Sequence, residues 1–78
     1  VKLKNRNESH MRISELSRLS GVSTRLIRYY ENIQLLARPA RTATGYRDYD
    51  QRDVYELRFI KRARLLGFSL KQTQELLD

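Results

Sequence analysis

The chain contains no cysteine, no tryptophan, one proline, one histidine and three glycines in 78 residues. Without cysteine there is no disulfide, no thiolate-held zinc or iron–sulfur cluster and no cysteine nucleophile within this segment. The one histidine, His10, falls in a polar stretch. A single imidazole with scattered carboxylates is a poor start for a metal site. No apolar run approaches the roughly 18 residues that crossing a bilayer takes, and nothing resembles a signal peptide, so no membrane partner is expected. Neither a nucleophile–base pairing nor a phosphate-cradling glycine loop is present, so the chain is read as no enzyme and as holding no cofactor. At this length it forms one small domain that would bury only roughly 60% of its unfolded surface, and efficient helix packing must supply its stability.

Negative charge is also scarce. Sixteen Lys and Arg stand against nine Asp and Glu, a net charge of +7, with a sequence pI near 10.3. A domain pI above about 9 is the electrostatic footprint of a nucleic-acid binder. Lys2, Lys4, Lys61 and Lys71 are the only lysines, so arginine dominates and favours planar, two-pronged contacts to phosphate or guanine. Charge alone does not separate such a binder from a protein that is merely basic.

Val1 to His10 (VKLKNRNESH) are polar and lack apolar periodicity, which reads as a disordered tail. The Ser-His-Met junction at Ser9–Met11 reads as a cloning scar, making Met11 the expected native start. Removing Lys2, Lys4, Arg6 and Glu8 with the tail still leaves a net +5.

From Ile13 the pattern turns helical. Ile13, Leu16 and Leu19 recur at every third position, with Ser14 placed to cap the start and Gly21 to stop the helix in a left-handed conformation. Val22-Ser23-Thr24 makes a tight corner, and Ser23 is a fitting N-cap for a second helix to about Asn32. Two short helices joined by a Gly-containing turn are the helix-turn-helix signature. At 100° per residue, Leu26, Ile27, Tyr30 and Ile33 share one arc of the second helix, while Thr24, Arg25, Arg28, Tyr29 and Asn32 occupy the other. The first is expected to be core. The second is long enough to reach into a major groove, where arginine bridges guanine O6 and N7. The ordinary alternative is a solvated face.

Pro39 forbids helix continuation, and Arg38–Tyr49 (RPARTATGYRDY) reads as a β-hairpin with its tip at Thr42 to Gly45. Arg41 and Arg47 flank that tip beside Tyr46 and Tyr49, suited to a phosphate backbone or a minor groove; a plain turn with solvated charges is the other reading. Asp50 opens a third helix to Leu66, with Tyr55, Leu57, Phe59, Ile60, Ala63 and Leu66 as its apolar arc and Arg58, Lys61 and Arg62 opposite. Arg64 projects near Leu57 and Ile60, either snorkelling from the core border or held to meet a phosphate. Gly67 ends this helix, and Ser69-x-x-Gln72 is a capping box for a fourth whose inward side is Leu70, Thr73, Leu76 and Leu77. The expected fold is therefore mainly α: a winged helix-turn-helix of four helices, with a small two-stranded β-hairpin wing between helices 2 and 3.

Taken in order, MRISELSRLSGVS, RLIRYYE, GYRDY and RFIKRARLLGFSL resemble the N-terminal DNA-binding domain of the mercury-resistance-regulator (MerR) family, over Met11–Asp78. The resemblance implies a bacterial, cytoplasmic, nucleoid-associated transcription regulator, acting as an activator on double-stranded promoter DNA. Such proteins bind as homodimers and distort an over-long promoter spacer, so that RNA polymerase is engaged indirectly. By position, the resemblance puts Arg25 and Arg28 at the major groove, with Arg28 also gripping backbone, and Tyr29 on phosphate; Thr24 joins the expected DNA-binding residues from its place on the polar arc. It puts Arg41, Thr44, Gly45, Tyr46 and Arg47 on the adjacent backbone and Arg64 on a phosphate, while Tyr30 and Glu31 look structural. Two departures stand out. Gln34 occupies the place where the family usually has glycine, which bears on how the first wing strand leaves the helix. The dimerisation helix and effector region that the family carries would follow Asp78 and are missing here. The alternative reading is an architectural DNA-bending protein of the excisionase type, which shares the winged fold and this length.

Overall fold

Among the described residues, four helices carry the fold that positions the exposed arginines: α1 (Ile13–Ser20), α2 (Thr24–Asn32), α3 (Gln51–Leu65) and α4 (Leu70–Leu77). They belong to a computed structural model that describes residues 11–37 and 48–78. The expected tail, 1–10, lies outside the described residues.

Local signals explain most helix ends. Gly21 takes φ +76° and its N–H returns to Ser17 O, closing α1 in the left-handed conformation that glycine adopts without penalty. Ser14 does not cap α1: the N-cap is Arg12, which makes no side-chain cap bond, and Ser14 lies within the first turn. Ser23 caps α2, its hydroxyl accepting from Leu26 N at 3.1 Å. Asp50 and Asp53 form a reciprocal capping box at the start of α3, and Ser69 with Gln72 forms another at α4. Asp53 accepts from Asp50 N at 3.0 Å, yet burial pushes its carboxyl up to about 6, the nearby charges of Asp50, Glu56 and Glu31 adding to that rise.

The core gathers Leu16, Ile27, Tyr30, Leu36, Tyr49, Val54, Leu57 and Ile60, all buried. Within α3 the buried line is Val54, Leu57, Ile60 and Ala63. Tyr55, Phe59 and Leu66 are exposed instead of core-facing. In α4 only Thr73 is fully buried, with Leu70 and Leu77 packed at the edge and Leu76 exposed.

The fold class needs correction at the wing. Among the described residues there is no β-strand, so the two-stranded β-hairpin wing between helices 2 and 3 does not stand; mainly α does. Most of the expected hairpin, 38–47, lies outside the described residues. Its last residue, Tyr49, pairs with Met11: Met11 N donates to Tyr49 O at 2.8 Å and Tyr49 N to Met11 O at 3.0 Å. Both main-chain groups of Tyr49 are thereby taken by Met11, two residues before α1. A single bridge of this kind is not a strand.

Two cations on α3 tie the helix-turn-helix corner down. Arg58 donates from Nε (3.2 Å) and Nη2 (2.9 Å) to Leu19 O, and Lys61 Nζ donates to Gly21 O at 3.1 Å. Both carbonyls lie at the C-terminal end of α1, where helix geometry leaves acceptors without intrahelical donors.

Candidate nucleic-acid interface

The reading candidate is α2, and its orientation follows from which of its side chains can be hidden. Ile27, Tyr30 and Glu31 are buried. Glu31 is held there because the Tyr49 hydroxyl donates to its Oε2 at 2.7 Å, which offsets the cost of taking a carboxylate out of water. With that face inward, Arg25, Arg28, Tyr29 and Asn32 are exposed and Thr24 is half-buried.

The core stripe differs from expectation at both ends. Leu26 is 39% and Ile33 41% exposed, while Glu31 takes a buried place that apolar periodicity does not assign to it. Leu26 instead joins Ser23, Arg25 and Tyr29 along a shallow outward groove. Tyr29 stacks obliquely against Tyr30, ring centroids 6.0 Å apart at 48°, which steadies an otherwise half-exposed ring.

The electrostatics keep this face available. Arg18 on α1 is paired with Glu15 at 2.6 Å, and that hydrogen bond holds the Glu15 carboxyl below its ordinary range. Among the described residues no carboxylate engages Arg25 or Arg28, so their guanidinium groups are free to approach an anion or a guanine edge. An exposed leucine beside them could meet a thymine methyl.

Arg64 is brought to the same end of α2. It lines a groove with Val22, Ser23, Leu26 and Tyr30, and Nη1 donates to Phe68 O at 2.6 Å, fixing the arginine across the turn that follows α3. Burial raises the Tyr30 hydroxyl above its ordinary range, and the positive charge of Arg64 partly opposes that shift. Arg41, Thr44, Gly45, Tyr46 and Arg47 lie outside the described residues. Of the ten residues expected at the site, the described residues include Thr24, Arg25, Arg28 and Tyr29 on α2 and Arg64 beside the N-terminal end of that helix. Sequence reading left out Leu26 as an outward residue and gave Arg58 and Lys61 no role. Their carbonyl partners lie 39 and 40 residues away, and no local pattern signals them.

Gln34, just beyond α2, has φ +63°. This left-handed conformation is the one a glycine would adopt at least cost. The chain keeps the backbone course there without the residue that suits it best.

Among the described residues no helix is long and apolar enough to cross a membrane, and no cluster of His, Cys, Asp or Glu could hold a metal.

Comparison with known proteins gives a consistent picture. Residues 11–78 match the family described as MerR HTH family regulatory protein. The chain is 57% identical over 67 residues to the HTH-type transcriptional regulator HmrR of Sinorhizobium medicae (strain WSM419), covering 86% of this chain and 46% of that protein. It is 54% identical, with the same coverage, to heavy metal-dependent transcription regulator 2 of Rhizobium meliloti (strain 1021). A solved MerR-family transcriptional regulator from Bacillus cereus superposes with a TM-score of 0.80 at 37% identity, covering 87% of this chain and 51% of that one. The chain thus spans about half the length of the curated relatives it matches. These relatives are regulators of transcription, and they lend nothing to the excisionase-type alternative.

Proposed function

The chain belongs to the MerR HTH family of regulatory proteins, and from that premise we propose that residues 11–78 are the DNA-binding part of a bacterial transcription regulator. In this reading α2 enters the major groove of promoter DNA. Arg25 and Arg28 meet base edges or backbone there, with Thr24 beside them, and Tyr29 and Arg64 hold phosphates on either side. Arg41, Thr44, Gly45, Tyr46 and Arg47 supply further backbone contacts from the segment between α2 and α3. The function is binding without catalysis, exercised in the bacterial cytoplasm.

The observation that carries this reading is the sidedness of α2. Its hidden face is fixed by Ile27, Tyr30 and the Glu31–Tyr49 hydrogen bond, and its open face presents two arginines that no carboxylate engages among the described residues. A helix fitting the groove needs that division.

The relatives are about twice as long as this chain, and we assign dimerisation and signal sensing to the portion without a counterpart here. A homodimer would span two half-sites and distort the spacer between them, engaging RNA polymerase indirectly through the shape of the DNA. One relative is named as heavy metal-dependent. This chain holds no cysteine, so any response to a metal held by thiolates would belong to residues outside it.

The test is equilibrium binding to duplexes selected from a random pool, followed by fluorescence anisotropy across a salt series. Affinity should fall steeply with salt, by about 0.9 in log K per log salt for each phosphate neutralised. Arg28→Ala should cost roughly 1–3 kcal/mol and relax preference at one base position. Equal affinity for duplex DNA and for single-stranded RNA, with a shallow salt slope, would overturn the proposal.

A further inference from the structure

We propose that Arg58 and Lys61 are positioning residues for DNA reading, acting through the helix-turn-helix corner without touching nucleic acid. The inference rests on the assignment of α2 as the reading helix. Both side chains project from α3, and both deliver their positive groups to carbonyl oxygens: Arg58 with two nitrogens on Leu19 O, Lys61 on Gly21 O. Those oxygens close α1 and open the corner, and Ser23, which caps α2, follows two residues later.

Three features make the arrangement a clamp. The carbonyls at the end of a helix carry the negative end of its dipole, so cations are favoured there. The partners lie on different elements, so the bonds fix the corner relative to α3 and not merely to itself. Gly21 is also fitted to the lysine: a Cβ at that position would stand 2.8 Å from Lys61 Nζ, and φ there is +76°. Any larger residue would be strained by that φ, and the flexible end of the lysine would have to shift to make room for it.

The consequence concerns where α2 begins. The corner between Gly21 and Ser23 sets the direction in which Arg25 and Arg28 are presented, and Arg58 and Lys61 hold that corner from outside the core. Loosening them leaves the buried faces of Ile27 and Tyr30 in place and lets the N-terminal turn of α2 swing. Base reading, which depends on placement to a fraction of an ångström, should suffer more than backbone attraction.

The experiment measures binding of Arg58→Ala, Arg58→Lys and Lys61→Met to a selected duplex and to a single-mismatch version of it, over a salt series. Amide NMR spectra verify that each variant is folded at the temperature used. Lys71→Ala, which removes one charge from the exposed side of α4, controls for generic loss of charge. Arg58→Ala should weaken binding to the selected duplex by roughly threefold to tenfold at every salt concentration. It should narrow the gap to the mismatched duplex and leave the salt slope at the value of the Lys71→Ala control. Arg58→Lys should restore part of both, since one donor of the two remains available. Lys61→Met keeps most of the stem and removes the donor, and should narrow the gap in the same way. A slope reduced by about 0.9 with the mismatch gap intact would mean that the cations grip phosphate directly and would overturn the proposal. So would unchanged affinity in folded variants. If the unsubstituted chain binds no duplex at all, it is the DNA-binding assignment that fails; if it binds and these variants behave as it does, only the clamp fails.

Discussion

Replacing Tyr49 by phenylalanine would delete one oxygen from the interior and leave the ring that fills it. Tyr49 has no exposed surface, and its hydroxyl donates to Glu31 Oε2 at 2.7 Å. Glu31 is itself only 3% exposed, so the carboxylate that loses this donor cannot turn to water in exchange. A hydrogen bond to a charged group contributes roughly 1.5–3 kcal/mol, and the higher part of that range applies when the partner stays buried. A loss of about 2–3 kcal/mol is therefore expected. For a domain of this size each kilocalorie shifts Tm by roughly 4–8 °C, so the melting point should fall by about 8–24 °C. Urea unfolding followed by far-ultraviolet circular dichroism measures it, with an unchanged m-value expected because no surface is newly exposed. Combining Tyr49→Phe with Glu31→Gln completes a double-mutant cycle, and the two changes should be strongly non-additive. A loss below about 0.5 kcal/mol, or simple additivity, would show that the bond does not hold α2 and would refute the reasoning.

Two other perturbations probe the ends of the same region. Asp53 has its carboxyl raised to about 6 from an ordinary 3.8, so the folded chain binds that proton more tightly than the unfolded one. The stabilisation is fully present below about pH 4 and lost as pH rises through 6. Asp53→Asn keeps an acceptor for Asp50 N and should remove this part of the decline, seen as a higher urea midpoint near pH 7.5; a steeper decline would reverse the assignment. At Gln34, with φ +63°, glycine would relieve roughly 1–2 kcal/mol of left-handed strain while adding roughly 0.5–1 kcal/mol of unfolded-state entropy. Gln34→Gly should be neutral or stabilising by up to about 1 kcal/mol in thermal unfolding, and Gln34→Val clearly destabilising; the opposite order would contradict the backbone course there.

The features legible in the sequence are those written within a few residues of where they act. Gly21 stopping α1, Ser23 capping α2 and the Ser69–Gln72 box each use a donor and acceptor three or four positions apart. The apolar arc of α3 was harder to place, because Tyr55 and Phe59 are apolar by type but stand on its solvent side, while Val54 takes the core position. Periodicity counts hydrophobic side chains without knowing which neighbour covers them. The burial of Glu31 is supported by a hydroxyl from Tyr49, eighteen residues on. The hairpin expectation failed at Tyr49 for a similar reason: its backbone partner is Met11, far from any local turn. At the site, the polar arc of α2 was readable from helical geometry. The exposure of Leu26 was not, since the core reaches α2 from one side only.

The most direct test of α2 as the reading element is an amide NMR titration of the chain with a selected duplex. The largest shift changes should fall on Thr24, Arg25, Arg28 and Tyr29, followed by Arg64, with Lys71 to Leu77 on α4 nearly unmoved. A response concentrated on α4, or one in which Arg25 and Arg28 stay still while DNA is bound, would contradict it.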